Sequence, residues 1–298
     1  MVSYPVLTEA QQQNLPALVQ PAEVIPSQFE DSTHQLWHCE TVDGPMVLKV
    51  CGTNNIDQST FWHGMNSLFN ADFPESLGNI QSIYHYLDAN SSIPVPLFVA
   101  AEKESFVLAK WINGETVSSE KITEHMVMQL AEYLSHHHQQ VHTSWGQFHQ
   151  AEFAADQWPI RLKDTLKRLA EQHSNAIPES ILNFALEQAE GIKVEKFMLI
   201  MPDLRWDQFL SQQNKLTALV DLDAIVLGPR ELELVLLEYL LDEKQAGLFK
   251  QHYQQQLSFP DLSKVRDAYR LLLFFMNVLG EKNITTWLQQ KVLFSPAK

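Results

Sequence analysis

Apolar and polar residues alternate in two stretches of the N-terminal third. In HQLWHCETVDGPMVLKVCG the alternation predicts strands over residues 34–41 and 46–51, joined by a Val-Asp-Gly-Pro turn. In IPVPLFVAAEKESFVLAKWING it predicts a second pair of strands around a charged turn at 102–104. Between the pairs, NIQSIYHYLDAN places apolar residues at 80, 83, 84 and 87, the spacing of one helix face. The expected order is strand, strand, helix, strand, strand.

Beyond Gly114 the apolar period lengthens. Residues 120–142, 158–174 and 178–190 read as helices, and 230–256 and 261–291 continue the pattern on either side of Pro260, whose missing N–H ends a helix. One β-like interruption, KFMLIMPDLRWDQFLSQQNKLTALVDLDAIVLG, has apolar runs at 197–201, 209–210 and 216–220 separated by polar loops. Loops at strand ends present side chains to ligands, which places Asp203, Gln208, Asp221 and Asp223 where chemistry is carried rather than in a core. The pattern predicts an α+β chain of two lobes: a small antiparallel-sheet lobe over 1–112 and a larger, mainly helical lobe over 113–298. The change falls at LAKWINGE, where a strand runs out into an Asn-Gly turn, and no internal repeat is visible.

Charge narrows the partners. Among 298 residues, 36 Asp and Glu against 21 Lys and Arg give a formal net charge of -15, which repels nucleic-acid phosphates and anionic lipid. No nucleic-acid or membrane partner is expected; the acidity suits a cationic small molecule, and more readily a solvated acidic surface. The first twenty residues lack a basic segment followed by an apolar one, and no apolar run approaches the roughly 18 residues of a membrane span. A cytoplasmic protein is expected. Cys39 and Cys51 fall on neighbouring predicted strands, but one potential pair in so long a chain is no disulfide framework, and both are expected buried and reduced.

The acidic positions have an order. Met201-Pro202-Asp203 is followed five residues after the aspartate by Gln208, and eighteen after it by Asp221 in Val220-Asp221-Leu222-Asp223. This resembles the aminoglycoside phosphotransferase and choline kinase superfamily, whose catalytic loop reads His-Gly-Asp with Asn five residues on, then a strand and a metal-binding Asp. GPMVLKV puts Lys49 where that family keeps its phosphate-holding lysine. FVLAKWINGE looks like its hinge, where main-chain groups of Lys110 and Ile112 would face an adenine. FEDSTHQLWHC would cover the nucleotide with the Ser32 and Thr33 hydroxyls in place of glycines. LAEYLSHHHQQVH resembles the family's helix ending in Leu-His. GPRELELVLLEYLL resembles its Gly-Asp-Pro segment, nearest the Gly-His-Arg-Glu form of the fructosamine kinases, a branch that VHTSWGQFH also resembles.

The resemblance implies a protein-kinase-like fold, ATP and Mg2+, and transfer of the γ-phosphate to a hydroxyl of a small molecule, an amine-bearing sugar or alcohol. Such transfer is mostly positioning and charge neutralisation. Lys49 would hold the phosphates. Asp221 and the Gln208 amide oxygen would hold magnesium. Asp203 would orient the acceptor hydroxyl and take its proton, with Arg205, Trp206 and Asp223 in reach of substrate. The chain departs from the pattern at Met201, at Pro202, and at Ile80, which stands where a helix glutamate would pair with Lys49, with Glu75 as a substitute. Those departures support a second reading, a degenerate pseudokinase that binds nucleotide or a partner without efficient transfer. A helical binding protein unrelated to kinases is a third.

Plainer roles compete residue by residue. Lys49 reads also as an edge-strand lysine that discourages sheet pairing, Asp203 as a turn residue, Asp221 and Asp223 as caps, and Asp207 as a solvated loop acid. His138 and His142, one helical turn apart, offer a metal pair against a satisfied helix-end cluster. Trp145, Phe148, Phe153 and Trp158 read as core, ahead of pocket wall.

Overall fold

The computed structural model describes residues 2–26, 33–52, 56–173 and 177–295. The chain divides into two compact units, one of Met1–Ser59, Asp72–Asn90 and Pro94–Asn113, the other of Thr60–Ala71, Ser91–Ile93 and Gly114–Lys298. Among the described residues no helix is long and apolar enough to cross a membrane.

The first unit is organised by an antiparallel sheet in the order β1-β2-β3-β5-β4: β1 (Glu23–Ile25), β2 (His34–Thr41), β3 (Gly44–Cys51), β4 (Phe98–Glu102) and β5 (Phe106–Lys110). Side chains alternate between faces along a strand, so Trp37, Cys39 and Thr41 of β2 and Met46, Leu48 and Val50 of β3 share one buried face. That face is closed by a segment the apolar pattern did not announce. Tyr4, Leu7 and Leu18 join its apolar cluster, the Tyr4 hydroxyl donates to the Pro16 carbonyl at 2.7 Å, and Thr8 caps the short helix α1 (Glu9–Gln12). Gly44 (φ +95°) already pairs with Thr41, so the predicted four-residue turn tightens to Val42-Asp43.

Lys49 sits on the opposite face of β3, in register with Leu36 and Val107. Since β3 is hydrogen-bonded along both sides, the edge-strand reading of this lysine fails. Cys39 pairs with Met46 near the hairpin turn and Cys51 with His34 at its open end, and both are free thiols. Burial pushes the Cys39 thiol up to about 11, whereas Cys51 is only half-buried, not buried as expected.

The helix α2 (Thr60–Phe69) belongs to the second unit and was not foreseen, although Trp62, Met65, Leu68 and Phe69 give it a buried stripe. The expected helix near residue 80 forms as α3 (Gln81–Asn90) in the first unit. The second unit continues with β6 (Glu115–Thr116), α4 (Glu124–Gln139), the hairpin β7 (Trp145–Gln147) and β8 (Gln150–Phe153), α5 (Gln157–Gln172) and α6 (Glu179–Gly191). Then come β9 (Met198–Ile200), β10 (Phe209–Gln212), β11 (Lys215–Leu219), β12 (Val226–Gly228), α7 (Arg230–Leu240), α8 (Glu243–Tyr253), α9 (Arg266–Phe275) and α10 (Ile284–Leu288). The strands form two small sheets, β11-β10-β6 and β8-β7-β12-β9.

Two long predicted helices are broken by local chemistry. Asp242 caps α8 with Gln245 reaching back to its N–H, which divides 230–256. Asn277 and Gly280 at positive φ, then Asn283 as a cap, divide 261–291. Trp145 and Trp158 are core, as read, with ring centroids 4.7 Å apart; Phe148 and Phe153 are half-buried, and the Arg161 guanidinium lies 4.0 Å from the Phe153 ring.

A buried carboxylate ties the C-terminal segment to two helices. Glu238 of α7 accepts from Arg266 at 3.0 Å and Arg270 at 2.7 Å, both on α9, and from the Leu293 and Phe294 N–H groups at 3.2 Å. Glu238→Ala strands two buried guanidinium groups, and a loss of roughly 3–5 kcal/mol is expected in urea denaturation. His137 on α4 supplies a pH dependence. Burial, then the neighbouring His136 and His138, lowers its pKa to about 3. The unfolded chain therefore binds a proton that the folded one refuses, and stability should fall as pH drops from about 6.5 towards 3. The melting temperature of His137→Gln should fall less than wild type between pH 7 and pH 5.

Candidate active site

The loop that carries Asp203 is shaped by its strand and by one glutamate. β9 pairs with β12, with Ile200 opposite Val226, and Gly228 permits the approach because a Cβ there would lie 2.5 Å from the Ile200 Cδ1. The chain leaves the sheet at Met201, next to Pro202, which cannot donate to a ladder. The Met201 N–H instead donates to Oε1 of Glu233 at 2.8 Å, and the Leu204 N–H closes a turn onto the Met201 carbonyl at 3.0 Å.

Glu233 is itself held from three helices. Its Oε2 lies 2.8 Å from Nε2 of His138 on α4; Nδ1 of that ring is 2.9 Å from the Tyr253 hydroxyl on α8, to which Arg230 of α7 donates at 3.1 Å. Glu233 and His138 are buried, and a carboxylate out of water must be matched by donors. The hydroxyl can accept from Arg230 and donate to the ring, so every link has an opposite role to fill. His138 is thereby spent on the fold, in keeping with the satisfied helix-end cluster rather than the 138/142 metal pair: His142 pairs its backbone with Phe197, and among the described residues no group of three or more metal-binding side chains converges.

Past Asp203 the chain makes a 3-10 turn over Trp206–Gln208. Gln208 is 2% exposed; its Oε1 accepts the Arg205 N–H at 2.8 Å and its Nε2 donates to Oδ2 of Asp203 at 3.2 Å. The Arg205 guanidinium grips Asp207 with bonds of 3.0 and 3.4 Å, so Asp207 is a paired, half-buried acid rather than a solvated one. Burial acts to lower the Arg205 pKa, but the charges of Asp203, Asp207 and Asp221 outweigh it and hold the arginine above its ordinary value. The indole N–H of the buried Trp206 donates to the Leu240 carbonyl at 3.0 Å.

Asp221 follows β11, whose end is fastened by the Val220 N–H donating to the Gln208 carbonyl at 2.8 Å. Its backbone is in the left-handed region, φ +66°, which few non-glycine residues occupy, aspartate and asparagine more readily than most. The side chain is exposed, whereas Asp223 is half-buried with both carboxylate oxygens out of solvent. Magnesium keeps waters and takes one or two carboxylates alongside phosphate oxygens, a role that exposed Asp221 fits. The Gln208 oxygen is turned onto the Arg205 N–H.

The remaining candidates lie on the first unit. Thr33 places Oγ1 3.1 Å from Nδ1 of His34, and its carbonyl accepts the Gly52 N–H at 2.9 Å; Ser32 lies outside the described residues. The Lys110 N–H is engaged by the Leu97 carbonyl at 2.8 Å and its Nζ by the Asp43 carbonyl at 2.6 Å, while Ile112 is half-buried just beyond β5. Ile80 is buried at the head of α3, and Glu75, the proposed substitute acid, pairs with Lys103 at 3.1 Å. The residues that sequence reasoning missed are Glu233, Tyr253 and Arg230. Their one signal was an acid inside the apolar run ELELVLLEYL, a position where a charge is kept only if paired.

Residues 24–271 match the profile described as "APH: Phosphotransferase enzyme family". No curated protein sequence matches the chain. Among solved structures, the ADP-bound aminoglycoside phosphotransferase APH(2'')-Ib is 15% identical, covers 91% of this chain and 93% of its own, and superposes with a TM-score of 0.58. The gentamicin complex of APH(2'')-IIa is 15% identical with 95% of each chain covered and a TM-score of 0.59. A candidate fructosamine-3-kinase from Haemophilus somnus 129PT is 13% identical over 92% of this chain and 90% of its own, with a TM-score of 0.59. At these identities the likeness is one of fold: an N-terminal antiparallel sheet followed by a mainly helical region, as the sequence predicted.

The network around Glu233 makes a graded prediction. Tyr253→Phe removes one hydroxyl between two polar partners and should cost about 1–2 kcal/mol. Glu233→Ala should cost roughly 3–5 kcal/mol and speed exchange of the Met201 amide, as read by denaturation and by NMR.

Proposed function

Because the chain belongs to the phosphotransferase enzyme family, we propose that it transfers the γ-phosphate of ATP, with magnesium, to a hydroxyl of a small molecule. The observation that carries this reading is Asp203, whose carboxylate is oriented by Gln208 beside the positive charge of Arg205. Asp203 accepts the hydroxyl proton of the acceptor as its oxygen attacks, so the nucleophile need not exist as a free alkoxide. Lys49 holds the nucleotide phosphates. Asp221 would hold magnesium, which supplies positive charge for phosphate oxygens when bound. With the Lys110 N–H spent on Leu97, the adenine contacts we assign are the Lys110 carbonyl and the Ile112 N–H. Thr33, and Ser32 before it, belong to the stretch assigned to cover the nucleotide. Arg205, held by Asp207, and Asp223 are the groups we assign to the substrate side. We assign Trp206 to supporting the loop, since its indole N–H is already bonded to the Leu240 carbonyl.

The formal charge of -15 and the carboxylates around Arg205 favour an acceptor that carries an amine, an amino sugar or amino alcohol. The competing reading, a nucleotide-binding pseudokinase, is favoured by one feature: the Gln208 oxygen faces a main-chain N–H.

A thermal melt tests the nucleotide site and a transfer assay separates the two. ATP at about a hundred times its dissociation constant should add roughly 2.7 kcal/mol of stability, dependent on magnesium and lost in Asp221→Ala. Asp203→Asn should keep that shift and lose transfer to amino sugars and amino alcohols by roughly 10²- to 10⁴-fold. A magnesium-dependent shift with no transfer to any acceptor in wild type would select the pseudokinase.

A further inference from the structure

We propose that Gln208 is a positioning residue, a clamp that fixes the loop and aims Asp203, and that it is not a ligand to the metal. The inference rests on the phosphotransferase reading for what Asp203 does, but the clamp itself stands on the loop geometry.

Gln208 occupies the third position of the 3-10 turn that Arg205 precedes, and its Oε1 reaches back to the Arg205 N–H at 2.8 Å. This is the return half of a capping box, in which a Gln or Glu three residues on satisfies the N–H at the cap. Two other caps among the described residues use the same device with no site nearby to explain it. The Thr8 N–H donates to Gln11 Oε1 at 2.8 Å, and the Asp242 N–H to Gln245 Oε1 at 2.9 Å. Asparagine, a methylene shorter, lacks the reach for this bond.

The orientation of the amide is fixed by its neighbours. A main-chain N–H needs an oxygen and a carboxylate needs a donor, so Oε1 must face Arg205 and Nε2 must face Asp203. Turning the oxygen to a cation would give up its bond to the Arg205 N–H and point the NH2 group away from Asp203. The main chain of the same residue accepts the Val220 N–H, one residue before Asp221. One buried residue thus sets both Asp203 and the strand end that carries Asp221.

Substituting Gln208→Glu separates clamp from ligand. Glutamate keeps the oxygen for Arg205 but sets a second oxygen against Asp203; as a metal ligand it would be better than an amide. Binding of Mn2+ in the presence of ADP, followed by electron paramagnetic resonance, should not tighten in Gln208→Glu. The carboxyl carbon resonance of Asp203, assigned through Asp203→Asn, should move. In Gln208→Asn, exchange of the Arg205 amide should quicken about tenfold, the loss of one ordinary hydrogen bond, with Mn2+ affinity unchanged. Tighter Mn2+ in Gln208→Glu and weaker Mn2+ in Gln208→Asn, with the Arg205 amide and the Asp203 resonance unmoved, would overturn the proposal. If wild type binds no Mn2+ with ADP, the phosphotransferase reading fails, and the Arg205 amide and Asp203 resonance still decide the clamp.

Discussion

A carboxylate removed from water has to be surrounded by donors, and in this protein the buried Glu233 meets that need by drawing the Met201 main chain and His138 onto one group. Through His138 it also recruits Tyr253 and Arg230. Three helices and the strand end before Asp203 are therefore fixed by the same charge. A loop held in this way pays little entropy at the moment of reaction, because its backbone has no alternative pairing that satisfies Glu233.

This constraint explains why the loop tolerates residues that the family pattern lacks. The bond to Glu233 comes from the N–H of residue 201, not its side chain, so methionine there costs no hydrogen bond and fills a buried position. Pro202 has no N–H to satisfy as the chain leaves β9, and the turn is closed by Leu204 instead. Downstream, the Gln208 amide and the Arg205–Asp207 pair finish the job locally. The loop's shape is thus carried by main-chain bonds and by three side chains within four residues of one another.

On the first unit the controlling fact is different. Lys49 belongs to the middle of a sheet whose other face is sealed by Trp37, Met46 and Leu48 together with Tyr4 and Leu7. Period-two alternation then leaves Lys49 no choice of face. The N-terminal segment, which reads as featureless, matters because it covers the apolar side and so fixes which side the lysine takes.

Local pattern determined most of the architecture. Strand alternation placed β2, β3, β4 and β5, helical spacing placed α3 to α6, and the order Asp203, Gln208, Asp221 marked the loop, because these signals lie within a few residues of one another. Tertiary structure decided what depends on distant partners. Short helices such as α2 and strands of three residues, β9 and β12, exist because of what they pack against. Glu233 and Glu238 stand out in the sequence only as acids within an apolar run, and their partners, 28 to 95 positions away, appear with the fold. Likewise the sequence named Gln208 as an oxygen ligand, since composition records which atoms a side chain has; only the fold decides which atom faces Arg205 and which faces Asp203.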